Sequence, residues 1–242
     1  MKPSPKPLFS VVVPAYNEEK YLSLCLASLV SQNFPKTKYE VIVVDNGSTD
    51  KTTQIAKKYK VRLIKESRKG VVFARQTGFL ATRGKIICST DADCFIPSNW
   101  LKKIASTFKK NPDLIAIGGN LDLMHVDNFF KLMIKFFAPP GLFLDQLLRL
   151  GSGLYSPNFA IKKSVFLKIG GFDTSLLTGE DLEISKRARK AGQIRFLNNL
   201  KVQTSARRFE QGFKESFKYV VLNYISVNLF SKSYLKQFKE WR

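Results

Sequence analysis

Short β-branched runs alternate with segments of helical periodicity between Phe9 and Asp93, and this alternation limits the fold more than any other feature. Residues 9–13, 39–44, 61–64 and the run beginning at Ile86 are apolar almost without interruption, the pattern of strands buried on both faces. Between them, Leu22, Leu24, Cys25, Leu26, Leu29 and Val30 recur at helical spacing, and residues 52–60 read as a second helix. Gly70 opens a third, which carries Phe73, Ala74, Arg75, Gly78, Phe79 and Leu80. Strands separated by helices build a mostly parallel central sheet with helices on both faces, a Rossmann-like α/β arrangement. Such sheets bind ligands beyond the carboxyl ends of their strands. Pro14, Asp45, Asp91 and Asp93 all fall at those ends.

The run Ile86-Ile87-Cys88-Ser89-Thr90 stops at two acids one residue apart. On an extended backbone Asp91 and Asp93 point to one side, where they repel each other unless a cation lies nearby. Hard oxygen ligands suit Mg²⁺ or Mn²⁺, and these ions suit a diphosphate. A turn after the strand is the plainer alternative, with Asp93 capping a helix that opens near Ser98 and Asn99. Three other helix starts are legible. Glu18 and Glu19 are expected in the first turn of the first helix, and Ser48, Thr49 or Asp50 at the N-cap of the second. Thr178-x-x-Asp181 reads as a capping box opening a helix that runs through Ala191 and stops at Gly192.

The second half is less regular. It reads as a helix over 99–110, a strand over 115–118 and an intensely apolar helix over 129–137. Short strands follow at 158–161, 194–197 and 201–204, and from Gly212 the chain is helical and rich in Phe, Tyr, Leu and Lys. With 242 residues and 44% apolar content the chain can bury one large core, expected over 1–210, followed by an amphipathic helical tail over 211–242. Forty Lys and Arg against nineteen Asp and Glu leave a net charge of +21, which calls for an anionic neighbour. The basic residues are spread along the whole chain and no aromatic-basic recognition motif is present, so nucleic acid is not favoured. The three cysteines lack C-x-x-C spacing and suit buried thiols in a reducing cytosol. His125, the only histidine, has no supporting pattern around it. No 18-residue apolar run occurs, so the expected location is cytoplasmic, with the tail a candidate for contact with an anionic membrane surface at its inner face.

Six pieces then appear in order: Val13-Pro14-Ala15-Tyr16-Asn17-Glu18, Val43-Val44-Asp45-Asn46-Gly47-Ser48-Thr49-Asp50, Gly70 through Arg75 with Gly78, Asp91-Ala92-Asp93, Gly170-Gly171-Phe172-Asp173, and Gly179-Glu180-Asp181. Together, over about residues 9–192, they resemble the nucleotide-sugar-dependent glycosyltransferases of family 2, with the GT-A fold. The resemblance implies a metal-dependent, inverting hexosyltransferase-type enzyme using a nucleoside-diphosphate sugar donor and a saccharide or lipid-linked acceptor. It implies that Asp93 ligates Mg²⁺ or Mn²⁺ and that Asp91 contacts the ribose or the metal shell. It places Asp45 at the nucleobase, Pro14, Tyr16 and Glu18 around base and ribose, and Arg75 facing the donor phosphates. Asp181 becomes the general base that takes the acceptor's proton, with Glu180 beside it.

One departure matters. Processive synthases of that family carry Gln-x-x-Arg-Trp, whereas this chain has Gln203-Thr204-Ser205-Ala206-Arg207-Arg208-Phe209. That argues for transfer of one sugar rather than polymerisation, with Arg207 and Arg208 as candidates to clamp the diphosphate. A nucleotidyltransferase would also use paired aspartates, but the Gly-rich basic loop it needs after the first strand is absent. A non-enzymatic basic protein binding nucleic acid or membrane is the remaining alternative.

Overall fold

The computed structural model describes residues 6–124 and 153–207, together with Leu222, Ser226, Val227, Lys232 and Ser233. The apolar helix expected over 129–137, His125, Arg208 and, apart from those five residues, the tail over 211–242 lie outside the described residues. Among the described residues there are eight strands: β1 Phe9–Ala15, β2 Tyr39–Asp45, β3 Arg62–Lys65, β4 Ile86–Ser89, β5 Cys94–Phe95, β6 Leu114–Met124, β7 Phe159–Lys162 and β8 Gln193–Ser205. The helices are α1 Leu22–Val30, α2 Thr52–Lys58, α3 Val71–Leu80, α4 Trp100–Lys110, α5 Lys163–Lys168 and α6 Glu180–Ala191.

The strands form one sheet in the order β3-β2-β1-β4-β7-β6-β8-β5. The first four are mutually parallel, as the alternation requires. The chain winds outward from β1 to β3 and returns to place β4 on the other flank of β1. The crevice between β1 and β4 is therefore a topological switch point. β7 runs antiparallel to both β4 and β6, β8 is parallel to β6, and β5 is antiparallel to β8. A short apolar run fixes burial but carries no direction, so these antiparallel pairings are a finding of the structure.

Side chains alternate across the sheet. Val11, Val13 and Ala15 join Leu22, Cys25, Leu26 and Leu29 of α1 and Trp100, Leu101 and Ile104 of α4 in one core layer. Val12, Ile42, Val44 and Ile87 meet Val72, Ala74 and Phe79 of α3, Phe166 of α5 and Ile184 of α6 in the other. Phe79 lies at the centre of this second layer, its ring centroid 4.9 Å from Phe172, 5.0 Å from Phe166 and 5.9 Å from Phe159. Gly78 lets α3 settle against the strands: a Cβ there would lie 2.4 Å from Val12 Cγ1 and 2.7 Å from Val44 Cγ2. On the far side of the sheet, buried Asn158 accepts a hydrogen bond from Trp100 Nε1 and donates to the carbonyls of Asn120 and Leu200. It thereby satisfies backbone beside the register shift at Gly119 and Asn120, where β6 passes from one stretch of β8 to the next.

Several boundaries differ from expectation. α1 begins at Leu22 with no acid in its first turn, so Glu18 and Glu19 belong to the preceding loop. Asp50 does receive the Thr52 N–H, as a cap would, although Lys51 occupies the N-cap position. The Thr178-x-x-Asp181 capping box does not form: Gly179, at φ 80°, is the N-cap and no side chain caps the helix. Asp93 does not cap α4 either, whose N-cap Asn99 makes no side-chain cap bond. The strands expected at 194–197 and 201–204 are one continuous β8, because the register shift absorbs the polar interruption at Asn198 and Asn199.

Glu66 fastens the β3–α3 connection to α3. Its carboxylate accepts hydrogen bonds from the Arg68 backbone at 2.9 Å, from Arg68 Nε and Nη2 at 2.9 and 2.8 Å, and from the Thr77 hydroxyl. The Arg68 guanidinium, itself over the Phe73 ring, holds the Glu66 carboxyl down to about 2. A folded-state value below the ordinary 4.5 contributes stability above pH 4.5 that is lost as pH falls toward 2. Because Arg68 is largely solvated, we expect Glu66→Gln to cost about 1 kcal/mol at pH 7 and to flatten the pH dependence between 4.5 and 2. Urea denaturation across that range measures both effects.

Candidate active site

Two loops at the carboxyl ends of β1 and β2 are laced into one platform. Asn17 adopts φ 52°, a conformation its short polar side chain tolerates, and its Oδ1 accepts the Thr49 N–H at 2.6 Å. In return the Asn17 N–H donates to Ser48 Oγ, the Glu18 N–H to Thr52 Oγ1 and the Glu19 N–H to Asp50 Oδ2. Asn46 extends the platform by donating to the carbonyls of Glu66 and Arg68 and accepting the Gly70 N–H. Asp45 is buried beneath it, with Oδ1 accepting the Ser48 N–H and Oδ2 the Thr53 hydroxyl, each at 3.0 Å. Pro14 is buried in β1 opposite Val44, and Tyr16 is half-buried just beyond.

The acids after β4 do not share a strand face. β4 ends at Ser89, and Asp91 to Cys94 form a turn in which the Cys94 N–H reaches the Asp91 carbonyl at 3.2 Å. The strand-period argument for their common orientation therefore fails, and the turn sends them to different arginines. Asp91 Oδ1 meets Arg75 Nη2 at 2.5 Å, while Asp93 Oδ2 lies 3.1 Å from Arg207 Nε.

Arg75 joins the two halves of the site. Its other terminal nitrogen, Nη1, pairs with Glu180 Oε1 at the start of α6. The guanidinium side chain is only 4% exposed, and its Nε–H has no partner among the described residues. Beside Glu180, Asp181 is half-buried; its Oδ2 accepts the Ser156 N–H at 3.1 Å and its Oδ1 the Leu182 N–H at 2.9 Å. Arg207 closes the opposite side. Its terminal nitrogens donate to both oxygens of Glu18, at 2.8 and 2.6 Å, and its guanidinium carbon lies 5.0 Å from the centroid of the Tyr21 ring.

Among the described residues, Glu18, Asp91, Asp93, Glu180 and Asp181 thus gather around two guanidiniums. The surplus of negative charge is visible in the titration of the buried members. Burial pushes the Glu18 carboxyl up, Arg207 opposes the rise, and repulsion from Asp93 and Asp91 adds to it. Burial likewise raises Glu180 despite its bond to Arg75. Among the described residues no three acids, histidines or cysteines form a cage that would hold a metal alone. One or two carboxylates completed by phosphate oxygens is nevertheless the usual setting for Mg²⁺. An acid surplus with this donor chemistry fits such an ion.

The sequence pointed to all eight residues, Pro14, Tyr16, Glu18, Asp45, Arg75, Asp91, Asp93 and Asp181. The structure brings Glu18, Arg75, Asp91, Asp93 and Asp181 into one charged network and leaves Pro14 and Asp45 beneath its floor. It adds Asn17, Tyr21, Asn46 and Ser156 as direct contacts, and gives Glu180 and Arg207, read from the sequence as the neighbour of Asp181 and a phosphate candidate, ion pairs to Arg75 and to Glu18 and Asp93. Ser156 donates its backbone N–H to Asp181 and its hydroxyl to Glu180, and had no signal in the sequence. Asn17 had one, since asparagine is favoured where a loop needs positive φ.

The family described as Glycosyl transferase family 2 matches residues 10–170. The glycosyltransferase AglE of Haloferax volcanii is 30% identical over 219 residues, covering 88% of this chain and 71% of that protein. A Methanococcus voltae protein named dolichyl N-acetyl-alpha-D-glucosaminyl phosphate 3-beta-D-2,3-diacetamido-2,3-dideoxy-beta-D-glucuronosyltransferase is 25% identical over 206 residues, covering 76% of this chain and 62% of its own length. The chain thus spans less than two thirds of that second relative. The fold matches the mannosyltransferase of Pyrobaculum calidifontis in complex with GDP-Man and Mn²⁺, with a TM-score of 0.65 at 20% identity, covering 89% of this chain and 64% of that one. The chain belongs to glycosyltransferase family 2, and its GT-A expectation is borne out.

Removing Arg75 leaves Glu180 buried without its counter-ion. We expect Arg75→Met to destabilise the fold by about 3 kcal/mol at pH 8. The loss should shrink at pH 5, because a protonated Glu180 no longer needs the partner. Urea denaturation at the two pH values checks the sign, and equal losses at both would contradict it.

Proposed function

We propose that this family 2 enzyme transfers a single sugar, with inversion, from a nucleoside-diphosphate sugar to an acceptor hydroxyl. One observation carries the reading. A single buried guanidinium, Arg75, holds Asp91 and Glu180 at once, so the acid just after β4 and the acid at the start of α6 are gathered on one side chain beside the β1/β4 switch point.

In this reading Asp93 holds Mg²⁺ or Mn²⁺, with Asp91 steadied by Arg75 at the ribose or in the metal's outer shell. When bound, the ion offsets negative charge growing on the departing diphosphate. Arg75, with both terminal nitrogens on carboxylates, serves as a positioning residue rather than a phosphate ligand. Asp45, its oxygens already accepting two hydrogen bonds, stiffens the loop on which Tyr16 and the base rest. A carboxylate has further lone pairs, so one base N–H remains compatible with that role.

Asp181 accepts the acceptor's hydroxyl proton as its oxygen attacks the anomeric carbon from the side opposite the leaving group. The Ser156 and Leu182 N–H groups aim its carboxylate. Glu180, buried and anchored on Arg75, fixes the first turn of α6 from which Asp181 projects. The net charge of +21 favours an acceptor that carries phosphate, and the dolichyl phosphate substrate in one relative's name agrees with a lipid-linked acceptor. Such an acceptor would place the enzyme at the inner face of a membrane. Among the described residues no helix is long and apolar enough to cross one.

Binding and transfer separate the two halves of the site. Asp93→Ala is expected to abolish Mn²⁺-dependent binding of UDP or GDP in calorimetry. Asp181→Asn should bind nucleotide as the wild type does while donor turnover falls by about 10²- to 10⁴-fold. Normal turnover in Asp181→Asn would remove it as the base.

A further inference from the structure

Among the described residues of the site, Arg207 is the guanidinium that solvent reaches, with its side chain 20% exposed against 4% for Arg75. It emerges one residue beyond the short joint at Ala206, after β8 ends at Ser205. The Ser205 N–H is tied to the Asp93 carbonyl, and Ser205 Oγ accepts the Arg207 N–H. Its backbone is therefore anchored to the acidic turn, and its long side chain is held by ion pairs. Arg207 grips both oxygens of Glu18 and one oxygen of Asp93, which belong to two different loops. A guanidinium so placed holds positive charge against the same acid that the proposed reading gives to the metal.

A guanidinium fork fits phosphate as well as it fits carboxylate. From these contacts we infer that Arg207 competes with the divalent cation for Asp93 and Glu18, and that a nucleoside diphosphate relieves the competition by drawing the guanidinium onto its phosphates. This rests on the donor-site reading above and extends it to the order of binding. Each cation exchanges one anionic partner for another, so ion pairing is conserved through the exchange. Metal alone must displace Arg207 without offering it a new partner and binds weakly. Metal with nucleotide supplies that partner, and the two bind in concert as linked ligands. A purely structural Arg207 would make the opposite prediction for the metal alone, since its loss would loosen the loops and weaken both ligands together.

The test uses Mn²⁺ alone, followed by the electron paramagnetic resonance of the free ion, and UDP or GDP with Mn²⁺ by calorimetry. Arg207→Met keeps an apolar stem over Tyr21 and removes the charge. It should bind Mn²⁺ alone about tenfold more tightly than the wild type and nucleotide with Mn²⁺ about tenfold more weakly, with Arg207→Lys in between. A cooperatively melting Arg207→Met that binds Mn²⁺ no more tightly than the wild type overturns the inference while leaving the donor site intact. Should Arg207→Met not fold, Glu18→Gln decides: releasing the guanidinium from its two-pronged anchor should tighten nucleotide binding without metal, and unchanged binding overturns the inference. Wild-type protein that binds neither UDP nor GDP with Mn²⁺ would instead overturn the donor-site reading, and the competition with it.

Discussion

The site depends on a buried positive charge that two separated segments must neutralise together. Arg75 lies 16 residues from Asp91 and 105 from Glu180 in sequence, and its guanidinium pairs with both. A buried charge left uncompensated is costly, so α3, the turn after β4 and the start of α6 are tied to one relative placement. Gly78, one turn further along α3, lets the helix approach Val12 and Val44 closely enough for Arg75 to overhang the end of β4. Packing and electrostatics thus fix the same geometry.

Around that junction the fold divides the work. Polar and acidic side chains lace the β1–α1 and β2–α2 loops into a stiff floor that also supplies Glu18 to the site. The other acids come from the turn after β4 and the first turn of α6. Acids at a helix N-terminus are stabilised by the helix dipole, which favours Glu180 and Asp181 in the first turn of α6. The two arginines differ in kind. Arg75 is enclosed and permanent, whereas Arg207 is reached by solvent and tethered at a strand end, which lets one hold structure while the other exchanges partners.

Much of this was legible in the sequence, because strands buried on both faces announce themselves as continuous β-branched runs and the loops after them carry the chemistry. Asp91, Asp93, Glu18 and Asp181 were found that way, or through their resemblance to family 2. What failed was local geometry. Paired aspartates look alike whether the backbone is extended or turned, and only the early end of β4 at Ser89 distinguishes the two. Thr178 and Asp181 have the spacing of a capping box, but the Ser156 N–H, 25 residues away, claims the Asp181 carboxylate. The direction of β7, the two-residue β5 and the single continuous β8 are set by long-range pairing, which periodicity does not record. Arg207 had been marked only as a phosphate candidate; its bond to Glu18 spans 189 residues and has no sequence signature.

The central claim is that Arg75 couples Asp91 to Glu180, the acids that the proposed reading sets on the donor and acceptor sides. A double-mutant cycle on Asp91→Asn and Glu180→Gln, read as unfolding free energy, tests it most directly, because coupling between residues that share a partner is measurable. The account predicts an interaction energy of about 1 kcal/mol or more that disappears when the same cycle is run in an Arg75→Met background. Additive losses in the wild-type background, or a coupling that survives without Arg75, would contradict it.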